Sequence, residues 1–176
     1  MSDVSPRPLP RLNPTQCRVL GVLIEKSLTT PGGYPMTLNS LVTGCNQLTC
    51  REPVMQLTEG EVARALHELQ IWRDGALVRQ AEADRTARVN RFEHLAEPRF
   101  GWDKRMRAIM AELLLRGPQT AGELKTNASR MAGFDDLQMA VNVIEDLSRH
   151  DPPYVCELPR QPGRSTVRYD HLLHAE

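Results

Sequence analysis

The chain has 176 residues, 22 Lys+Arg against 22 Asp+Glu, and 40% hydrophobic side chains. That suits a soluble globular protein with one medium core or two small ones, and no apolar run approaches the ~20 residues that span a bilayer. The basic surplus of most nucleic-acid binders is missing, overall and in each half: residues 1–97 carry 11 basic and 11 acidic side chains, residues 98–176 carry 11 and 11.

Residues 1–13 hold prolines and no hydrophobic stretch, so they read as a flexible tail rather than a signal peptide or an anchor. Asn13-Pro14 starts a helix, a capping side chain followed by proline at the first helical position. Val19, Leu20, Leu23 and Ile24 continue it until Thr29-Thr30-Pro31. Thr37 caps a second helix with Leu38, Leu41, Val42 and Cys45 on one face. Thr58 and Glu61 form a capping box for a third, with Leu57 stapled to Val62, and Val62, Ala65, Leu66 and Leu69 as its buried stripe. Asp74-Gly75 ends it. Two short strands follow, 76–80 and 88–94, around a polar turn.

The series then repeats. Glu97-Pro98-Arg99-Phe100-Gly101 reads as a joint. Met106, Ile109, Met110 and Leu113 mark a helix that Gly117-Pro118 stops. Thr120 and Glu123 form another capping box, and Pro118-x-Thr120-x-x-x-Leu124 echoes Pro35-x-Thr37-x-x-x-Leu41. Asp135 and Gln138 cap a third helix, Phe134 staples to Met139, and Ala140, Val143, Ile144 and Leu147 fall 78 residues after the first copy's stripe. Strands 154–158 and 166–172 close the unit. Arg168-Tyr169-Asp170-His171-Leu172 restates Arg91-Phe92-Glu93-His94-Leu95 at a spacing of 77 residues, the size of a small domain rather than a solenoid repeat. Helix, helix, helix, strand, turn, strand is the order of a winged helix, a helix-turn-helix variant with a β-hairpin wing. The predicted fold is therefore mainly α with small β-hairpin wings: tail 1–13, winged-helix domain 14–96, joint 97–103, winged-helix domain 104–174.

Glu25-Lys26, Thr29-Thr30-Pro31, Tyr34-Pro35, Cys45-Asn46-Gln47 and Arg51-Glu52-Pro53-Val54-Met55 resemble the signature of the YceH family. Leu113–Leu115, Arg116-Gly117, Gln119-Thr120, Gly122-Glu123-Leu124, Arg130-Met131, Pro162-Gly163-Arg164 and Arg168-Tyr169 agree. The resemblance implies tandem winged-helix domains in a bacterial cytoplasmic protein. It brings no catalytic residues, and Cys50 stands where the pattern has a polar residue.

The third helix of such a unit usually enters the major groove. Here Thr58–Arg73 carries Arg64 and Arg73 against Glu59, Glu61 and Glu68, and Asp135–Arg149 carries Arg149 against Asp135, Asp136, Glu145 and Asp146. Facing phosphate, the second helix would repel; the first is more even, with Arg64, His67 and Gln70 on one face. The wings are more positive: Arg79, Arg85, Arg88 and Arg91 in the first, Arg160, Arg164 and Arg168 in the second. Arginine and acid stand two apart on each terminal strand, so pairing there or across the hairpin competes with phosphate contact. His94 and His171 read as packed or hydrogen-bonded ends of strands. Cys45-x4-Cys50 lacks a second ligand pair at zinc-like spacing and His171-x-x-His174 sits near a fraying terminus, so no metal is expected. Neither is a cofactor, a small-molecule substrate or a membrane partner. Cys17, Cys45, Cys50 and Cys156 read as free thiols of a reducing cytoplasm. The polar loop Asn46, Gln47, Thr49, Arg51, Glu52 is either architectural or a partner-docking loop. Nothing has the spacing of a catalytic centre, so the expectation is not an enzyme. Two functions stay open: double-stranded DNA bound mainly through the first domain, or a protein partner or homodimer docked on neutral surfaces and acidic third helices.

Overall fold

The computed structural model describes residues 6–82, 86 and 88–175. α1 (Pro14–Thr29) begins on Asn13, whose side chain accepts from the Gln16 N–H while the Gln16 side chain accepts from the Asn13 N–H, each at 2.9 Å. A turn at Pro31–Gly33 leads to β1 (Met36–Thr37) and to α2 (Leu38–Cys45), capped by Thr37. After loop 46–57 comes α3 (Glu59–Gln70), with the Thr58–Glu61 capping box formed in both directions. β2 (Val78–Gln80) and β3 (Arg91–His94) complete the first unit. α4 (Ala96–Phe100) occupies the expected joint. α5 (Lys104–Arg116), β4 (Gln119–Thr120), α6 (Ala121–Ala128), α7 (Leu137–Arg149), β5 (Val155–Glu157) and β6 (Arg168–His171) follow in the order of the first unit.

Each unit has a three-stranded antiparallel sheet, β1-β3-β2 and β4-β6-β5. The register is the same in both: Phe92 faces Met36 and Gln80, and Tyr169 faces Gln119 and Glu157. The two-residue strands β1 and β4 were not expected. They are too short to show alternation, and each runs straight into a threonine cap. The α7 cap is Asp136 rather than Asp135, one residue later than expected, and Asp136 accepts from the Met139 N–H at 2.8 Å.

The two units share one continuous core. α1 and α5 form the most extensive helix pair, and both are buried along most of their length. Gly21 lets them close: a Cβ there would sit 3.0–3.1 Å from the side chains of Leu114 and Leu115. The tail is pinned at its end. Leu12 is buried, its N–H donates to Leu173 O at 2.7 Å, and the Ala175 N–H donates back to Leu12 O at 2.8 Å. Loose-tail behaviour therefore does not extend to Leu12, which fills an apolar site and adds a backbone ladder at the C-terminus. Trp102 in the joint is buried as well, stacked on Phe100 at 4.3 Å and edge-on to Tyr154 at 5.2 Å. Among the described residues no helix is long and apolar enough to cross a membrane.

Candidate nucleic-acid interface and buried charge centre

The arginines that the sequence assigns to wings divide into one that is paired with an acid and several that are not. On β2 and β3 Arg79 stands directly opposite Glu93, and the two form an ion pair. That leaves Arg91 without its acid neighbour; its Nη1 donates to Pro35 O at 3.1 Å. In the second wing the place of Arg79–Glu93 is taken by Cys156–Asp170. Asp170 turns away, accepting from the His171 N–H at 2.8 Å and meeting His174 at 2.9 Å. Pairing of Arg91 with Glu93 and of Arg168 with Asp170 is therefore not what the strands do, because each acid has a better placed partner. Arg88, Arg160 and Arg164 are exposed and Arg168 half-buried. Among the described residues none of these, nor Arg91, has an acidic partner. Arg85 lies outside the described residues.

The third helices are less suited to phosphate. Arg64 Nε sits 2.9 Å from Glu68, and Gln16 reaches the same carboxylate at 2.6 Å. A groove of about 310 Å³ between the start of α1 and α3 is lined by Asn13, Thr15, Glu61, Arg64, Ala65 and Glu68, so carboxylates outnumber its one cation. His67 is exposed on the same helix. On α7 the outward side chains include Leu137, Gln138, Asn142, Glu145 and Asp146, and Arg149 pairs with Glu145 at 3.4 Å.

The polar loop after α2 is tied down by hydrogen bonds within the chain. Asn46 clamps the backbone of Leu57, accepting its N–H at 2.7 Å and donating to its carbonyl at 2.9 Å. Gln47 accepts from Lys26 at 3.1 Å and donates to Thr49 O at 3.0 Å. The Glu52 N–H donates to Leu115 O at 2.9 Å, tying the loop to α5 while the residue itself stays exposed. Arg51 is not on offer to a partner, nor does it cluster with Glu52. Its side chain is fully buried, with Nη1 and Nη2 on the Glu25 carboxylate at 2.9 and 2.7 Å and Nε on Gly44 O at 3.1 Å. Arg130, from the matching loop of the second unit, reaches Glu25 as well and meets Glu112 on α5 at 2.6 Å; Arg116 also stands 3.1 Å from Glu112. Burial alone would raise the Glu25 carboxyl, but the Arg51 and Arg130 guanidiniums outweigh it and hold the group below its usual range.

This centre was not foreseen. Its one trace in the sequence is a glutamate set inside each apolar helix, between Ile24 and Lys26 and between Ala111 and Leu113. Its arginines come from the signature stretches, where nothing local distinguishes a buried guanidinium from an exposed one.

His94 and His171 make the same bond. The Nδ1 of each accepts from the backbone N–H two residues on, Ala96 and Leu173, at 3.1 Å. Burial lowers them, His94 to about 4 and His171 to about 3. The fold also brings together Cys17, His171 and His174, whose ligand atoms lie within 4.8 Å of one another. Sequence spacing did not connect Cys17 to the histidines. Because His171 Nδ1 accepts from Leu173, its Nε2 keeps the ring proton, so ligation through Nε2 would first require that bond to break. Burial pushes the Cys17 thiol up to about 12, the protonated form of a packed side chain.

A family profile described as "Protein of unknown function, DUF480" matches residues 12–164. The chain is 49% identical over 167 residues to a UPF0502 protein of Geobacter sulfurreducens, covering 94% of this chain and 73% of that one. It is 46% identical over 162 residues to one of Azoarcus sp., covering 92% and 70%. It is 44% identical over 176 residues to one of Paraburkholderia phymatum, covering 99% and 73%. The chain therefore belongs to the UPF0502 family, the family of YceH whose signature residues build the buried charge centre.

Proposed function

We propose that the chain is a non-enzymatic, cytoplasmic DNA-binding protein of two tandem winged-helix units that grips the duplex mainly through its wings. The observation that carries this reading is the set of wing arginines without acidic partners among the described residues: Arg88 and Arg91 in the first unit, Arg160, Arg164 and Arg168 in the second. Guanidiniums on a hairpin that are not neutralised by a carboxylate suit phosphate oxygens, which they bind two at a time. Such contacts position a protein on DNA and carry little sequence information. Arg64 and His67 of the first third-helix face are secondary, since Arg64 is engaged by Glu68. Four free thiols accord with a reducing compartment. A pull-down with and without nuclease tests the reading: captured partners should disappear on nuclease treatment, and partners that survive it would count against DNA.

The second reading is a protein-docking module. Acidic side chains along α7 and the half-exposed Leu137 at its start favour it. Phe100 and Trp102 add no apolar surface for such docking, because both side chains are buried within the chain.

A further inference from the structure

Each unit has a cleft between its wing and the threonine that caps its second helix, and the two clefts have diverged. The first, about 600 Å³, is lined by Thr37, Leu38, Asn39, Val89, Asn90 and Phe92, together with Glu59 and Arg88. The second is about 60 Å³ and is lined by Thr120, Glu123, Gln161, Arg164, Thr166 and Arg168, beside Pro159. We propose that this second cleft is a binding site for a single phosphoryl group, held between Arg164 and Arg168 with hydroxyl and amide donors around them.

Size argues first. At about 60 Å³ against about 600 Å³ in the first unit, the second cleft suits a small anion better than a bulky ligand.

Charge argues next. Among the described residues neither guanidinium has an acidic partner, although Glu123 lines the same cleft. Glu123 is engaged in the capping box, accepting from the Thr120 N–H at 3.3 Å. The Thr120 oxygen accepts from the Glu123 N–H at 3.2 Å, and its own proton is unspent among the described residues.

The wing is also built to hold its tip in place. Gly163 adopts φ 79°, and the Arg164 N–H closes the turn onto Gln161 O at 3.1 Å. The Leu158 N–H donates to Arg168 O at 2.8 Å, extending the ladder beyond β5 and β6. Both arginines thus leave from an ordered backbone. In the first unit the counterpart of Arg168 is Arg91, which is turned to Pro35 O.

The phosphoryl group comes either from a DNA backbone, which rests on the function proposed above, or from a small phosphate monoester, which does not. The test is an NMR titration of the ¹⁵N-labelled full chain with inorganic phosphate, against sodium chloride at matched ionic strength. Saturable shifts should appear at Thr120, Glu123, Gln161, Thr166 and the Arg164 and Arg168 Nε–H signals, with phosphate and not with chloride. They should vanish in Arg164→Gln/Arg168→Gln, whose remaining spectrum reports an intact fold. Equal shifts with chloride, shifts scattered over every basic residue, or shifts that persist in the double variant overturn the site. A short duplex then separates the sources. Displacement of phosphate by the duplex assigns the site to the backbone. Phosphate binding that the duplex does not disturb upholds the site for monoesters and removes its support from the DNA reading.

Discussion

Glu25 and Glu112 stand in matching places, each four residues before the last residue of its helix, α1 and α5, and both are fully buried. The Arg130 guanidinium reaches both carboxylates. The halves of the chain are therefore joined through charge as well as through the apolar contact of α1 with α5. Two buried carboxylates at one joint would be costly without these cations, and the guanidinium fork supplies directed bonds to each acid it meets.

Removing one partner of this centre should cost more than removing both. Arg51→Met leaves Glu25 buried with Arg130 alone, and the expected loss is about 3–5 kcal/mol in denaturant unfolding. Pairing it with Glu25→Met should recover a substantial part. Arg130→Met should cost less than Arg51→Met, because the Arg130 side chain is 29% exposed and that of Arg51 is not exposed. Equal losses for the two single variants, or a double variant no better than Arg51→Met, would show that the charges are not what matters there.

The buried histidines set an acid limit. Both have folded-state pKa values, about 4 and about 3, below the ordinary 6.5. Below pH 6.5 the unfolded chain binds protons that the folded chain refuses. Their contribution is complete above pH 6.5 and is lost as pH falls from there toward 4. Unfolding near pH 5 should take up about one proton per histidine, two in all. Glu25, held low, begins to lose its own contribution only once pH falls to the usual carboxylate range, so the histidine window is read above that range. Substituting Asn for His94 and His171 keeps an acceptor near the Nδ1 position and should flatten stability between pH 6.5 and 4. An unchanged slope in that double variant, followed by chemical denaturation, would assign the acid sensitivity elsewhere.

Loop 46–57 should separate architecture from surface. Asn46→Ala strips both hydrogen-bonding groups from the Leu57 backbone and should cost about 1–3 kcal/mol. Leu48→Ser, at a side chain that is 78% exposed, should stay within about 0.5 kcal/mol. A large effect at Leu48 would mean that the residue packs against something, within the chain or in a second copy.

What the sequence disclosed, and what it hid, follows from the range of the interactions. The caps at Asn13, Thr37, Thr58 and Thr120 are local, three residues from donor to acceptor, and they announced four helix starts. The stripe of Val62, Ala65, Leu66 and Leu69 announced which face α3 buries. The strands β1 and β4 exist only because β3 and β6 lie beside them, so Met36 and Gln119 carried no signal of their own. Arg51 and Glu25 are 26 residues apart, and Arg130 and Glu25 are 105 apart. Over such distances a buried pair and two surface charges are written with the same letters. The resemblance marked these residues as characteristic of a family without saying what they do. The wing arginines were visible, but their freedom from acid partners was not, because it depends on Glu93 lying across from Arg79 and on Asp170 meeting His174.

The most direct test of wing-mediated DNA binding is the affinity of the full chain for a short duplex, measured by fluorescence anisotropy over a range of salt concentrations. Three or four neutralised phosphates give a log–log slope of about −3 to −4. Arg88→Ala with Arg91→Ala should weaken binding to all duplex sequences alike and make that slope shallower by roughly one for each arginine removed. A slope near zero, or no binding at the lowest salt, would contradict the account.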